Sequence, residues 1–195
     1  STNFGFLMGY KKDYLFKELK SGRSIEENIL KFIESNVKKD FNCIEIGANI
    51  GCISVYLSKF CKKLYCFEPQ KNIYFALCGN LFLNQCNNVQ PINAGAFYKN
   101  TMFDFAHLDK QDRIVGDYTK GIEFINSFGS ISMEENLKGN IQAVKIDDII
   151  KEDIHFIKSD AEGGDLSALM GAENIIKKSK PIIIFEFHEF YSKQC

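Results

Sequence analysis

The sequence predicts an α/β domain built on a mostly parallel sheet with helices on both faces. Short apolar runs of strand length alternate with segments of helical period from residue 41 onward, an order that belongs to sheets crossed over by helices. The strand candidates barely alternate between apolar and polar, which means burial on both sides. With 195 residues the chain is long enough for one domain with a full core. The expected division is N-terminal helices over 1–40, a ligand-binding core over 41–190, and a loop-rich insertion near 107–139.

"KKDYLFKELK" reads as a short helix with mixed faces. "SIEENILKFIESNV" is a better one, with Ser24 and Glu27 spaced as a capping box and Ile25, Ile29, Phe32, Ile33 and Val37 as one apolar stripe. "FNCIEI" is the first strand, followed by the glycine turn "GANIG" and a helix over "CISVYLSKF". "KLYCFEP" is a second strand stopped by Pro69, "NIYFALCGNLFLNQC" a helix, and "VQPINAGAF" a third strand. "TMFDFAHL" alternates as a hairpin strand does. Residues 107–139 are weakly patterned, as a loop-rich insertion or lid is. "IQAVKI" is strand-like, "DDIIKED" one helical turn capped by Asp147 and Asp148, "IHFIKSD" a strand, "DLSALMGAENIIKKS" a helix and "PIIIFEF" a last strand.

Composition excludes several classes. Net charge is −1, and Arg23 and Arg113 are the only arginines, which disfavours a polyanion partner such as nucleic acid. Seven cysteines without a C-x-x-C pair, most of them inside apolar runs, fit a reduced, cytoplasmic protein. "STNFGFLMGYKK" lacks the basic leader and apolar length of a signal peptide, and "PIIIFEF" is too short to span a bilayer.

In parallel sheets ligands bind at the carboxyl ends of the strands, near the topological switch point. Here those ends read Glu45-Ile46-Gly47, Glu68-Pro69, Asn93-Ala94, Asp160-Ala161-Glu162 and Glu186-Phe187-His188, all polar or acidic. A dinucleotide fingerprint needs G-x-G-x-x-G; this turn has Asn49 at the second glycine and Cys52 at the third. A carboxylate, Glu45, just before such a turn suits a cationic ligand without phosphate. S-adenosylmethionine (SAM), with an ammonium and a sulfonium, is one: Glu45 is expected to attract its amino-acid end, directly or through water, with Ser54 and the amides of the next helix holding its carboxylate. Glu68, ending the second strand, is placed to take both ribose hydroxyls.

The stretches "IEIGANIGCISVYLSKF", "CFEP", "VQPINAGAF", "VKIDDI", "FIKSDAEGGDLSALMGAENII" and "PIIIFEF" resemble the successive motifs of FkbM-type SAM-dependent methyltransferases over about residues 41–187. The resemblance implies a Rossmann-like class I methyltransferase fold and methyl transfer to a hydroxyl oxygen, often on a sugar, glycan or natural product. By motif position it implies Glu45, Gly47, Asn49, Gly51, Glu68 and the adjoining Pro69 along the SAM site, with Asn93 and Ala94 near the adenine. Asp160 and Glu162 then face the methyl-donor end and the acceptor. The family's closing helix and antiparallel hairpin after the fifth strand have no counterpart in "HEFYSKQC", so the expectation is either a short chain or a sheet completed by another segment such as "TMFDF" or "IQAVKI".

Moving a methyl group to an alcohol requires positioning two molecules and removing one proton. Asp160, Glu162 and His188 are the candidates, Asp160 first because it ends a central strand beside the switch point. The competing reading of Asp160 is a helix N-cap, a role for which Asp165 is an alternative. A divalent-metal site from Asp160, Glu186 and His188 is a minor hypothesis, not carried forward. His107 and His155 suit packing better than chemistry. Tyr98, Phe103, Phe105, Tyr118, Phe124 and Phe128 are read first as ordinary packing. The leading expectation is a SAM-dependent O-methyltransferase acting on a small-molecule or glycan acceptor. The alternatives are an NAD(P)-dependent oxidoreductase and a SAM-binding protein without catalysis.

Overall fold

The structure, a computed structural model, describes residues 5–9, 17–19, 21, 26–105 and 133–186. In chain order the elements are α1 (Glu27–Asn36), β1 (Asn42–Ile46), α2 (Cys52–Leu57), β2 (Lys63–Phe67), α3 (Lys71–Leu83), β3 (Val89–Ile92), β4 (Gly95–Ala96) and β5 (Thr101–Phe105). They continue with β6 (Met133–Glu135), β7 (Ile141–Val144), α4 (Ile146–Ile149), β8 (Phe156–Ser159), α5 (Asp165–Met170), α6 (Glu173–Ser179) and β9 (Ile182–Phe185).

Five strands form one all-parallel sheet in the order β3-β2-β1-β8-β9. The chain winds from β1 out to β3 on one side and from β8 to β9 on the other, so the switch point lies between β1 and β8. Alternate residues of the central strands face opposite ways. Cys43, Leu64, Cys66, Phe156 and Ile184 pack with Leu30 and Ile33 of α1, Val55 and Leu57 of α2, and Ile73 and Leu77 of α3. Ile44, Ile46, Tyr65, Phe67, Ile157 and Ile183 pack with Ile146 of α4, Ala168 of α5 and Ile175 of α6. Both faces are therefore covered, as the unalternating strands predict. Among the described residues no helix is long and apolar enough to cross a membrane.

Several sequence expectations are corrected. Helix α1 starts at Glu27 with Glu26 at its N-cap in a left-handed conformation (φ 54°) and no side-chain cap, so Glu27 does not close a capping box. Ser24 and Ile25 lie outside the described residues. Phe32, assigned to the apolar stripe, is exposed, and Leu30 takes its place against the sheet. "VQPINAGAF" is two strands in two sheets: β3 joins the parallel sheet, and β4 pairs with β7 after a break at Asn93 and Ala94. "TMFDF" and "IQAVKI" do not extend the parallel sheet. They build a second, four-stranded sheet in the order β4-β7-β5-β6, with β5 antiparallel to both neighbours. Phe103 is in the core of that sheet, edge-on to Phe97, whereas Tyr98 is exposed.

The helix expected over 165–179 breaks into α5 and α6. Gly171, at the break, abuts β4's outgoing chain so closely that a Cβ would stand 2.1 Å from the Phe97 carbonyl oxygen. Asp147 closes the gap. Its buried carboxylate does not cap its own turn; it accepts from the N–H groups of Asn174 and Ile175 at 3.0 Å each, capping α6 from another element. Asp148 instead accepts from Asn100 at 2.8 Å. Asp147→Ala leaves both N–H groups without their acceptor, and the expected loss is about 1–2 kcal/mol, read as a lower urea midpoint. An unchanged midpoint would show that water replaces the carboxylate at no net loss.

Candidate functional site

The site is organised by the turn after β1. Gly47, Asn49 and Gly51 all have positive φ, at 76°, 51° and 89°. Glycine adopts this region freely and asparagine is among the few other residues that tolerate it, which is why these types stand at these positions. A Cβ at Gly47 would lie 1.9 Å from the carbonyl oxygen of Asp160. The missing side chain lets the ends of β1 and β8 touch before their chains part.

Every N–H of the turn already donates within the protein. Gly47 and Ala48 donate to the carbonyl of Phe67, Asn49 to the Glu68 carboxylate, Ile50 to the Asn49 side-chain oxygen and Gly51 to the carbonyl of Ala48, at 2.7–3.0 Å. A pyrophosphate cradle needs such groups pointing outward and uncommitted. This turn lacks that property, and the missing glycine at Asn49 has its structural counterpart.

Glu68 stands at the end of β2, its carboxylate accepting from Asn49 N–H at 2.9 Å and Gln70 N–H at 2.8 Å. Burial pushes its pKa up to about 7 against the pull of those two N–H groups. Asn93 donates to the carbonyls of Glu68 and Pro69 at 2.9 and 3.2 Å, and so ties the end of β3 to the loop after β2; Ala94 is buried beside it. Asn80 of α3, which the sequence reading missed, supports the turn from below. It is fully buried, donates to the carbonyl of Ile50 at 2.7 Å and holds the backbone of Met8.

Glu45 does not reach the surface. Its side chain points into the α1–α3 face, 1% exposed, and accepts from the Ser54 hydroxyl at 2.5 Å. Ser54, expected to hold a ligand's carboxylate, is committed to Glu45 and is itself wholly buried. Burial pushes Glu45 up to about 7, opposed by Lys158 and by the Ser54 hydrogen bond.

Lys158 is the second residue the sequence reading passed over. Glu45 and Lys158 are register partners on adjacent parallel strands and share one face of the sheet. Two residues on, Asp160 lies on that face at the rim, and the ammonium donates to its Oδ2 at 3.0 Å. Burial works against the ammonium, but Asp160, Glu26 and Glu45 together outweigh it and lift its pKa above the ordinary lysine value. An isolated lysine in the apolar strand "HFIKSD" was the legible signal.

Asp160 is not a helix cap. Gly164 holds the N-cap position of α5, and Asp165 accepts from the Ser159 hydroxyl at 2.6 Å and the Ala161 N–H at 3.2 Å. Glu162 sits at positive φ (48°) in the turn after β8. Asp160, Glu162 and Glu186 bring carboxylate oxygens within 4.8 Å of one another, an acidic cluster at the ends of β8 and β9. His188, His107, Phe105's side chain, Tyr118, Phe124 and Phe128 lie outside the described residues. His155 is structural: its Nδ1 accepts from Asn42 N–H at 3.1 Å and its ring stacks on Phe41.

The family model of the methyltransferase FkbM domain matches residues 45–195. The chain belongs to the FkbM methyltransferase domain family. Among solved structures it is similar to the FkbM methyltransferase of Methylobacillus flagellatus KT, with TM-score 0.50 and 20% identity over 80% of this chain; it spans 39% of that protein's length. It is also similar to SMU.1697c of Streptococcus mutans, solved in complex with SAH, with TM-score 0.51, 14% identity, and 86% and 74% of the two chains covered. A third is the precorrin-6y C5,15-methyltransferase of Geobacter metallireducens GS-15, with TM-score 0.52, 12% identity, and 88% and 68% covered. At these identities the likeness is one of fold, the Rossmann-like class I architecture. No curated protein matches the chain.

The two raised carboxyls set a pH dependence. Glu45 and Glu68 hold protons in the folded chain up to about pH 7 but release them near 4.5 when unfolded. Between those values the native state binds more protons, so their contribution is full below 4.5 and is lost as pH rises through 7. Each is worth roughly 3 kcal/mol. Relative to the parent, Glu45→Gln is therefore expected to gain stability steadily from pH 5 to pH 8, read from urea midpoints without ligand. A constant difference across that range would rule out titration of Glu45.

Proposed function

We propose that this chain is a SAM-dependent O-methyltransferase acting on a hydroxyl of a sugar, glycan or natural-product acceptor. The observation that carries the reading is the turn at the switch point. Its N–H groups are spent inside the protein, which disfavours a dinucleotide's pyrophosphate, while carboxylates flank it at Glu68 and Asp160. Family membership and the similarity to a structure holding SAH, the product SAM leaves after methyl loss, support the same ligand.

The residues present fit SAM. Glu68 ends β2 with a carboxylate held by two N–H groups and able to accept from ribose hydroxyls. Gly47, Asn49 and Gly51 shape the turn that lies against the ligand, with Pro69, Asn93 and Ala94 framing the adenine side. Glu45, backed by Ser54, acts on the ligand's ammonium through the field of a buried carboxylate rather than by contact. When bound, SAM supplies a methyl group on a sulfonium.

Asp160 faces the acceptor. Its Oδ2 is held by Lys158, and Oδ1 takes no hydrogen bond from a described residue. Oδ1 accepts the acceptor's O–H, orients that oxygen for in-line displacement and takes the proton as the new bond forms. Glu162 and Glu186 line the same wall, and His188 is proposed to stand beside them as a further acceptor-side base. Carboxylates on this wall favour neutral polyhydroxyl acceptors and repel phosphate, which supports a small-molecule or glycan acceptor over nucleic acid. Buried free thiols at Cys43, Cys52, Cys61 and Cys66 fit a reducing, cytoplasmic setting.

Calorimetric titration with SAM, SAH and NAD is expected to give micromolar binding of the first two and none of NAD; binding of NAD alone would overturn the assignment. Glu68→Ala is expected to weaken SAM by about 1.5–3 kcal/mol, and unaltered affinity would remove Glu68 from the ribose. With tritiated SAM and a glycan pool, Asp160→Asn is expected to lower methyl transfer far more than SAM affinity. SAM binding without any transfer to hydroxylated pools would favour the non-catalytic reading.

A further inference from the structure

The buried lysine of β8 has no place in the reading above beyond the contact it makes. Lys158 occupies a core position between the register partners Glu45 and Ile184, where an apolar side chain of equal volume would pack without desolvating a charge. Its side chain is 4% exposed, whereas that of Asp160 is 27% exposed, so the pair runs from the interior to the rim. Ser54 holds Glu45 from α2, and Glu26 approaches the same ammonium from the N-cap of α1. One cation thus joins three elements to the carboxylate at the strand end.

We propose that Lys158 is a positioning residue for methyl transfer, clamping Asp160 Oδ2 so that Oδ1 is presented to the acceptor hydroxyl. This rests on the assignment of Asp160 to the acceptor side. Lys158 itself touches neither cofactor nor acceptor. Neutralising Glu45 is not a sufficient account of it, because Ser54 already serves that carboxylate and the ammonium's hydrogen bond goes to Asp160. Arginine preserves the charge and donates from a longer side chain; methionine preserves volume alone.

The experiment compares Lys158→Met, Lys158→Arg and the double variant Lys158→Met/Glu45→Gln in the full chain. The double variant lessens the risk of misfolding, because it removes the Glu45 carboxyl together with the ammonium beside it in the core. Three readouts are taken: SAM affinity by calorimetry, tritium transfer from SAM to the glycan pool, and crystal structures of the parent and the double variant. The expected result is SAM affinity within threefold of the parent in the two single variants, transfer at least thirtyfold slower in both methionine variants, and recovery to within tenfold of the parent in Lys158→Arg. The Asp160 carboxylate is expected to leave its parental orientation in the double variant. Transfer at the parental rate in Lys158→Met, or loss of SAM affinity in step with transfer in that single variant, would overturn the proposal. So would an Asp160 carboxylate that stays in place. If the parent transfers no methyl to any pool, the functional reading fails on its own, and the orientation of Asp160 still decides whether Lys158 positions it.

Discussion

The architecture of the site depends on one close backbone approach. The turn after β1 passes the end of β8 with no room for a side chain at Gly47, whose Cβ would overlap the carbonyl oxygen of Asp160. Because the strands are this close, the Asp160 N–H can donate to Ile46 and extend the pairing by one residue before the chains separate. The separation that follows falls at the topological switch point, where parallel sheets bind ligands. Gly47, Asn49, Gly51, Glu68 and Asp160 owe their common neighbourhood to it.

A second layer lies beneath the switch point. The row Cys66–Glu45–Lys158 crosses three adjacent strands on a single face, in a sheet otherwise apolar on that side. Charge in such a place is unfavourable unless each group has a partner. The partners come from separate elements: Ser54 from α2, Asp160 from the rim, Glu26 from α1. The result is an electrostatic connection from the core to the acidic cluster at the strand ends. It also holds the Glu45 carboxyl behind the turn, away from the surface.

Much of the parallel sheet was legible in the residues. Strands apolar on both faces could only be buried on both faces, and "GANIG" marks the turn after the first of them. The sequence also placed Glu68 and Asp160 at strand ends, because Pro69 and the turn "AEGG" stop the apolar runs there. What misled the reading was local grammar without its context. Ser24 and Glu27 are spaced as a capping box, yet the helix begins at Glu27. Asp147 looks like the cap of its own turn, yet it serves α6. The break of the last long helix at Gly171 depends on the nearness of Phe97, more than seventy residues earlier in the chain.

By itself, then, the sequence determined the strands of the parallel sheet, the polar residues that end them, and the family to which these motifs belong. These are properties of short windows, set by the burial pattern and by the residues that interrupt it. Tertiary structure alone decided who pairs with whom: Ser54 with Glu45, Lys158 with Asp160, Asn80 with Ile50, and "TMFDF" with a second sheet instead of the first. The physical reason is that a hydrogen bond or ion pair depends on the register between strands and on the direction of each side chain. Neither is encoded in the spacing of residues along one segment.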